Sequence, residues 1–192
     1  MNENAIRLGA LFQDAFAYAA DAHANQRRKA SGTPYISHPM QVAGLALEHG
    51  ADEELAAAAL LHDVIEDTPT THAELAERFT RRIADIVRAC SDTEDHEEKS
   101  AWRPRKEAYL AHLRTESVDA ALVSCADKVH NARSILSDLR TQGPSSFDRF
   151  TGKRDGTLWY YRALVDTFQT LDVPTALLCE LEIAVEGMEA LA

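Results

Sequence analysis

The chain has 192 residues, enough for one domain with a substantial core, and its 45% hydrophobic and 27% charged content is ordinary for a globular protein. Twenty basic side chains against thirty-one acidic ones give a formal charge of −11. That balance excludes a general nucleic-acid binder, which needs a basic face to displace counterions from phosphates. It leaves room for a small anionic ligand, because a bound cation and a few local basic groups outweigh distant, screened charge.

In chain order, Met1-Asn2-Glu3-Asn4 has neither a basic start nor an apolar stretch, so no signal peptide is expected. Ile6, Leu8, Leu11, Phe12, Ala15, Phe16 and Ala19 recur near a 3.6-residue period and predict a helix over 5–23. Ser31-Gly32-Thr33-Pro34 breaks the period, so 26–37 reads as a loop. Pro39 suits the first turn of a helix running to about His49, closed by Gly50. Asp52 then caps an Ala/Leu-rich helix that carries His62 and Asp63. Its apolar run, Leu55 to Leu61, is the longest in the chain and far short of the roughly 20 residues of a membrane span.

Thr70 or Thr71 caps a further helix to about Phe79, and 81–89 forms another. The polar stretch 92–100 reads as a mobile loop. Helical periods resume over 102–114 and 117–140, a turn falls at Gly143-Pro144-Ser145-Ser146, and two helices over about 156–170 and 174–191 follow. Strand-like alternation is nearly absent, so the fold class is all-α, as one domain over 1–192. Cys90, Cys125 and Cys179 are odd in number and far apart, which predicts reduced, mostly buried thiols and a cytoplasmic setting.

Chemistry concentrates in four segments. Adjacent His62 and Asp63, after seven apolar residues, are costly to bury unless something binds them. Glu66 and Asp67 follow each of them by one helical turn, as carboxylates free for water or substrate. Asp127 sits in an apolar helical stretch with Asn131 one turn on; alone it reads as a satisfied structural carboxylate. His38, at a helix start, reads alone as a capping residue, and Gln26-Arg27-Arg28-Lys29 as a solvated basic run. Taken together, two imidazoles and two carboxylates form a mixed N/O set suited to Mn²⁺, Fe²⁺ or Zn²⁺. A cation so held acidifies water near neutral pH.

Four motifs then carry a resemblance: His23-x-x-Gln26-x-Arg28-Lys29, Pro34-Tyr35-Ile36-x-His38-Pro39, Ala58-Ala59-Leu60-Leu61-His62-Asp63-x-x-Glu66-Asp67-Thr68 and Ala126-Asp127-Lys128-x-His130-Asn131. In order and spacing the chain resembles the HD superfamily of phosphohydrolases over roughly 10–165. More narrowly it is similar to the hydrolase domain of long bifunctional alarmone enzymes and to the small alarmone hydrolases. The resemblance implies a helical HD bundle with its motifs within 23–134 and the helices of 156–191 packed on that core. It implies one metal, usually manganese, on His38, His62, Asp63 and Asp127, and water held by Glu66 and Asp67. Arg28 would pack on the purine base, and Lys29 and Asn131 would contact ribose or phosphate. Ser134, where the family often has threonine, would offer the nucleotide a hydroxyl.

The activity implied is removal of the 3′-pyrophosphate of guanosine tetra- and pentaphosphate. A different nucleotide at the same site (an adenosine alarmone, a phosphorylated dinucleotide cofactor or a 5′-nucleotide) is the alternative within enzymes. A silent nucleotide-binding module is the alternative outside them, and the intact Glu66-Asp67 pair argues against it. Arg103, Arg105 and Lys106 are candidates for the outer phosphates or plain surface charges. No partner beyond the nucleotide is implied, and no oligomeric state.

Overall fold

Glutamate 53 shows how the first helices are tied together. Its carboxylate accepts the backbone N–H of Gly9 at 2.6 Å and of Phe12 at 3.3 Å. It therefore satisfies the open donors at the start of helix α1 (Ala10–Ala22) from a residue more than forty positions away. The expected start near residue 5 is corrected: residues 6–9 are not helical, because this borrowed cap stops α1 at Gly9. In the computed structural model, residues 6–29, 31–91 and 101–192 are described. The loop expected over 92–100 lies outside them.

The chain divides into two compact units, Met1–Glu94 and Asp95–Ala192. The first holds α1, α2 (Ser37–Glu48), α3 (Glu53–Leu61), α4 (Val64–Asp67), α5 (His72–Arg78) and α6 (Arg81–Cys90). Helix α3 is its centre and packs against α1, α2 and α6. Asp52 caps it by accepting Leu55 N–H at 2.8 Å, and every side chain from Leu55 to Leu61 is buried. Four of those seven are alanines, whose small side chains let neighbouring helices approach on all faces. Thr71 and Glu74 form a reciprocal capping box at α5, and Thr80 caps α6.

One expectation for this unit is corrected. His62 and Asp63 do not continue α3; the helix ends at Leu61 and a separate short α4 starts at Val64. The backbone at both residues stays in the right-handed helical region, so the break is a local offset between two helical pieces. Apolar periodicity carries no record of such an offset.

The second unit holds α7 (Trp102–Leu113), α8 (Val118–Gln142), a short 3-10 helix (Pro144–Arg149), α9 (Lys153–Phe168) and α10 (Thr175–Ala190). Ser117 caps α8, and Gly143 ends it with φ 77, a left-handed conformation glycine adopts without a Cβ penalty. Helix α8 packs on α10, and α7 on α9. The Trp102 indole lies against Gly152 and Gly156, so closely that a Cβ built at Gly152 would sit 2.7 Å from it. Arg149 pairs with Asp138 and ties the 3-10 turn back to α8. Among the described residues, β-structure amounts to one isolated bridge, Arg27 to Pro34. None of the described helices is long and apolar enough to cross a membrane.

Candidate metal centre

Two segments of the first unit bring their polar atoms to one point. His38 lies in the first turn of α2, whose entry is set by the His38 N–H to Tyr35 carbonyl bond of 2.9 Å. His62 ends α3 and Asp63 opens α4. His62 Nε2 stands 3.2 Å from His38 Nε2, and Asp63 Oδ2 is 3.1 Å from the former and 3.4 Å from the latter. Both imidazoles are at most 2% exposed.

This arrangement fits a cation. His62 Nδ1 lies 2.8 Å from the Ala59 carbonyl, which can only accept, so Nδ1 carries the hydrogen. In the neutral ring Nε2 is then the lone pair, and it faces a second ring nitrogen and the half-buried Asp63 carboxylate. A ring nitrogen fixed through its far side to a backbone carbonyl is the usual posture of a metal-ligating histidine. The break between α3 and α4 has a use here, since it turns consecutive residues 62 and 63 toward the same point.

Asp63 is further held by the Tyr35 hydroxyl, which donates to Oδ2 at 2.7 Å. Burial alone would raise the Asp63 pKa, but the imidazoles of His62 and His38 outweigh it and hold the carboxyl well below the usual range. Asp67 moves the other way. Crowding by protein around its carboxyl raises the pKa and the Asp63 carboxylate adds to the rise, with the Tyr35 hydroxyl opposing. Glu66 is half-buried, whereas Asp67 as a whole residue is exposed. Both belong to α4, whose turn is closed by Asp67 N–H to Asp63 carbonyl at 2.9 Å.

The loop before α2 folds back on itself: Arg28 N–H donates to the Thr33 carbonyl at 2.9 Å and Tyr35 N–H to the Gln26 carbonyl at 3.1 Å. The half-buried Arg28 carries its guanidinium 5.8 Å from the Tyr35 ring centre, and Lys29 is exposed. Tyr35, His23 and Gln26 lie within the sequence motifs, but their spacing alone assigns them no task. Position three before His38 was the available signal for Tyr35.

In the second unit, Asp127 is 6% exposed on α8. It accepts Lys128 Nζ at 2.7 Å and Asn131 Nδ2 at 2.5 Å, so Asn131 is engaged with Asp127 itself. Ser134, half-buried, lies about two turns beyond Asp127 on the same helix face. Arg103 pairs with Glu107 at 2.7 Å and lies on the Trp159 ring, and Lys106 Nζ is 4.8 Å from the Tyr160 ring centre. These two cations have structural occupations on α7 and α9. Cys90 and Cys125 are buried and Cys179 is exposed, and none of the three is in a disulfide; burial pushes the Cys125 thiol far up.

The HD domain family profile matches residues 15–157, about three quarters of the chain. A guanosine-3′,5′-bis(diphosphate) 3′-pyrophosphohydrolase of Haemophilus influenzae is 41% identical over 123 residues, covering 61% of this chain and 17% of its own. The bifunctional (p)ppGpp synthase/hydrolase SpoT of Escherichia coli K12 is 37% identical over 129 residues, covering 64% of this chain and 18% of its own. The chain thus spans less than a fifth of the length of these curated relatives. Among solved structures, a metazoan ortholog of SpoT, described as hydrolysing ppGpp and acting in starvation responses, superposes with a TM-score of 0.79 at 28% identity. That match covers 95% of this chain and 97% of the other.

Proposed function

The chain belongs to the HD domain family, and we propose that it is a metal-dependent phosphohydrolase that removes the 3′-pyrophosphate from guanosine tetra- and pentaphosphate. The observation that carries this reading is the meeting of His38 Nε2, His62 Nε2 and Asp63 Oδ2 within 3.1–3.4 Å of one another. Similarity to a ppGpp-hydrolysing structure along nearly its whole length supports the substrate. Asp127 is the proposed fourth ligand, and Mn²⁺ the proposed ion, with Fe²⁺ or Zn²⁺ able to use the same N/O set. When bound, the cation supplies positive charge that acidifies water and neutralises phosphate oxygens.

The side chains supply the rest. Glu66 and Asp67 hold and aim a water at the phosphorus bonded to the ribose 3′-oxygen. Attack forms one P–O bond and breaks the bond to that oxygen, which leaves with a proton. The products are pyrophosphate and GDP or GTP. Tyr35 keeps Asp63 in place, Arg28 packs on the base, Lys29 and Asn131 meet ribose or phosphate, and Ser134 offers a hydroxyl. The substrate is a small nucleotide, and cysteines outside any disulfide suit a reducing cytoplasmic setting.

The test is product analysis after incubating manganese-loaded protein with guanosine and adenosine 3′,5′-bis(diphosphates), a phosphorylated dinucleotide and 5′-nucleotides. Pyrophosphate and GDP from the guanosine alarmone, well ahead of the others, is the expected result. Preference for another member of the panel would replace the substrate, and no turnover of any would leave a binding module.

A further inference from the structure

A histidine outside the metal cluster is built into the same unit with a specific polarity. His23 closes α1, is 2% exposed, and has Nδ1 2.8 Å from Gln26 Oε1. Gln26 Nε2 in turn donates to the Asp67 backbone carbonyl at 2.8 Å. The carbonyl can only accept, so the Gln26 amide is oriented with its nitrogen toward Asp67 and its oxygen toward His23. His23 must then carry its hydrogen on Nδ1. Its Nε2 is left buried and without a hydrogen-bond partner among the described residues. A leucine would fill the space without that desolvation cost, so packing alone does not account for a histidine here.

The same two residues hold the other side of the centre. The His23 ring stacks on Tyr35 with centroids 4.8 Å apart, and the Gln26 carbonyl accepts the Tyr35 N–H. Tyr35 is the residue that donates to Asp63. We propose that His23 and Gln26 form a positioning clamp that sets both the α4 turn bearing Glu66 and Asp67 and the Tyr35 hydroxyl on Asp63. The catalytic relevance of the clamp rests on the phosphohydrolase reading; its existence does not. Neither residue reaches the reacting atoms, and both act through Asp67 and Tyr35.

The variants separate this role from packing. Asparagine places an amide N–H near the position of imidazole Nδ1–H, so His23→Asn preserves the donor; His23→Leu keeps the bulk and loses it. Gln26→Glu can accept from His23 but cannot donate to the Asp67 carbonyl. Two readouts are taken on each manganese-loaded protein: hydrogen exchange of the Asp67 and Thr68 amides, and steady-state release of pyrophosphate from the guanosine alarmone. His23→Leu and Gln26→Glu are expected to speed exchange at those amides about tenfold or more with α3 unchanged. They are expected to lower kcat by about 10- to 100-fold with KM within about twofold. His23→Asn, which keeps the donor to Gln26 but not the ring on Tyr35, should restore the exchange readout and recover part of the kcat loss.

If wild type releases no pyrophosphate while the exchange pattern appears as stated, the substrate reading fails and the clamp stands. Unchanged exchange at Asp67 and Thr68 in His23→Leu and Gln26→Glu overturns the clamp whatever the activity. Exchange that quickens equally throughout the first unit, with no recovery in His23→Asn, overturns it in favour of simple packing.

Discussion

The Tyr35 hydroxyl donates to the same Asp63 oxygen that faces both imidazoles, so one oxygen has to serve the cation and the tyrosine together. A partner that orients a ligating carboxylate typically contributes 10- to 100-fold in metal affinity. Tyr35→Phe keeps the ring on His23 and removes the bond to Asp63 together with the hydroxyl's interaction with Asp67. Manganese titration of the variant should give a dissociation constant raised by about that 10- to 100-fold factor; an unchanged constant would show that Asp63 needs no such support. Glu66 poses a different question. Glu66→Gln keeps size and removes the negative charge that orients or accepts a proton, so kcat should fall by on the order of 10²–10⁴. Its metal content, read by elemental analysis, should match wild type, and a variant that loses its metal would make Glu66 a ligand. At this scale the sequence was most informative. His62-Asp63 stood out after an apolar run, and four motifs named the rest. Tyr35 and His23 were silent because their tasks depend on partners set by the folded loop.

Helices in both units are placed by single contacts that can be tested one at a time. Trp102 of α7 lies across Gly152 and Gly156, and a Cβ at Gly152 would sit 2.7 Å from two indole carbons. Gly152→Ala should therefore destabilise the protein by about 1–3 kcal/mol, the usual cost of forcing extra volume into a packed site. Equilibrium urea unfolding measures it, and a midpoint equal to wild type would mean that the indole moves aside freely. Helices α5 and α6 are joined by His72 Nε2 to Asp85 Oδ1 at 2.7 Å. The hydrogen bond from His72 lowers the Asp85 pKa against a smaller opposing effect of burial, with Arg88 and Arg81 assisting. A depressed folded-state pKa stabilises above the unfolded value of about 3.9 and loses that contribution as pH falls through the folded value. The melting-temperature gap between wild type and Asp85→Asn should be widest near neutrality and close in acid. A gap that widens on acidification would reverse the sign.

Caps explain which element boundaries were legible. Asp52, Thr71, Thr80 and Ser117 each accept a backbone N–H three residues on, a local signal that chain order preserves. The start of α1 is not legible in the sequence because its cap, Glu53, is far away along the chain. The break at His62–Asp63 is not legible in the sequence because buried apolar residues look alike on either side of a helix offset.

Across the whole molecule, buried donors and buried chemistry come from the same segments. The apolar α3 leads into His62, the first turn of α2 delivers His38 and the loop before it Tyr35, and α8 of the second unit carries Asp127 with Asn131 and Ser134. A net charge of −11 does not oppose an anionic nucleotide if a bound cation dominates locally. The all-α class and the position of the motifs were readable from periodicity and from the four quoted segments. The division into two units was not, although its boundary falls within the polar stretch 92–100, because a polar loop inside one domain has the same composition as a linker between two units. The central claim is that hydrolysis depends on the cation held through Asp63. The most direct measurement strips the protein of metal and follows pyrophosphate release from guanosine 3′,5′-bis(diphosphate) as manganese is added back, beside Asp63→Asn treated identically. Activity should be absent at the start and rise to a plateau near one equivalent, with the variant flat throughout. Full turnover by the stripped protein, or an Asp63→Asn curve that overlays wild type, would contradict the account.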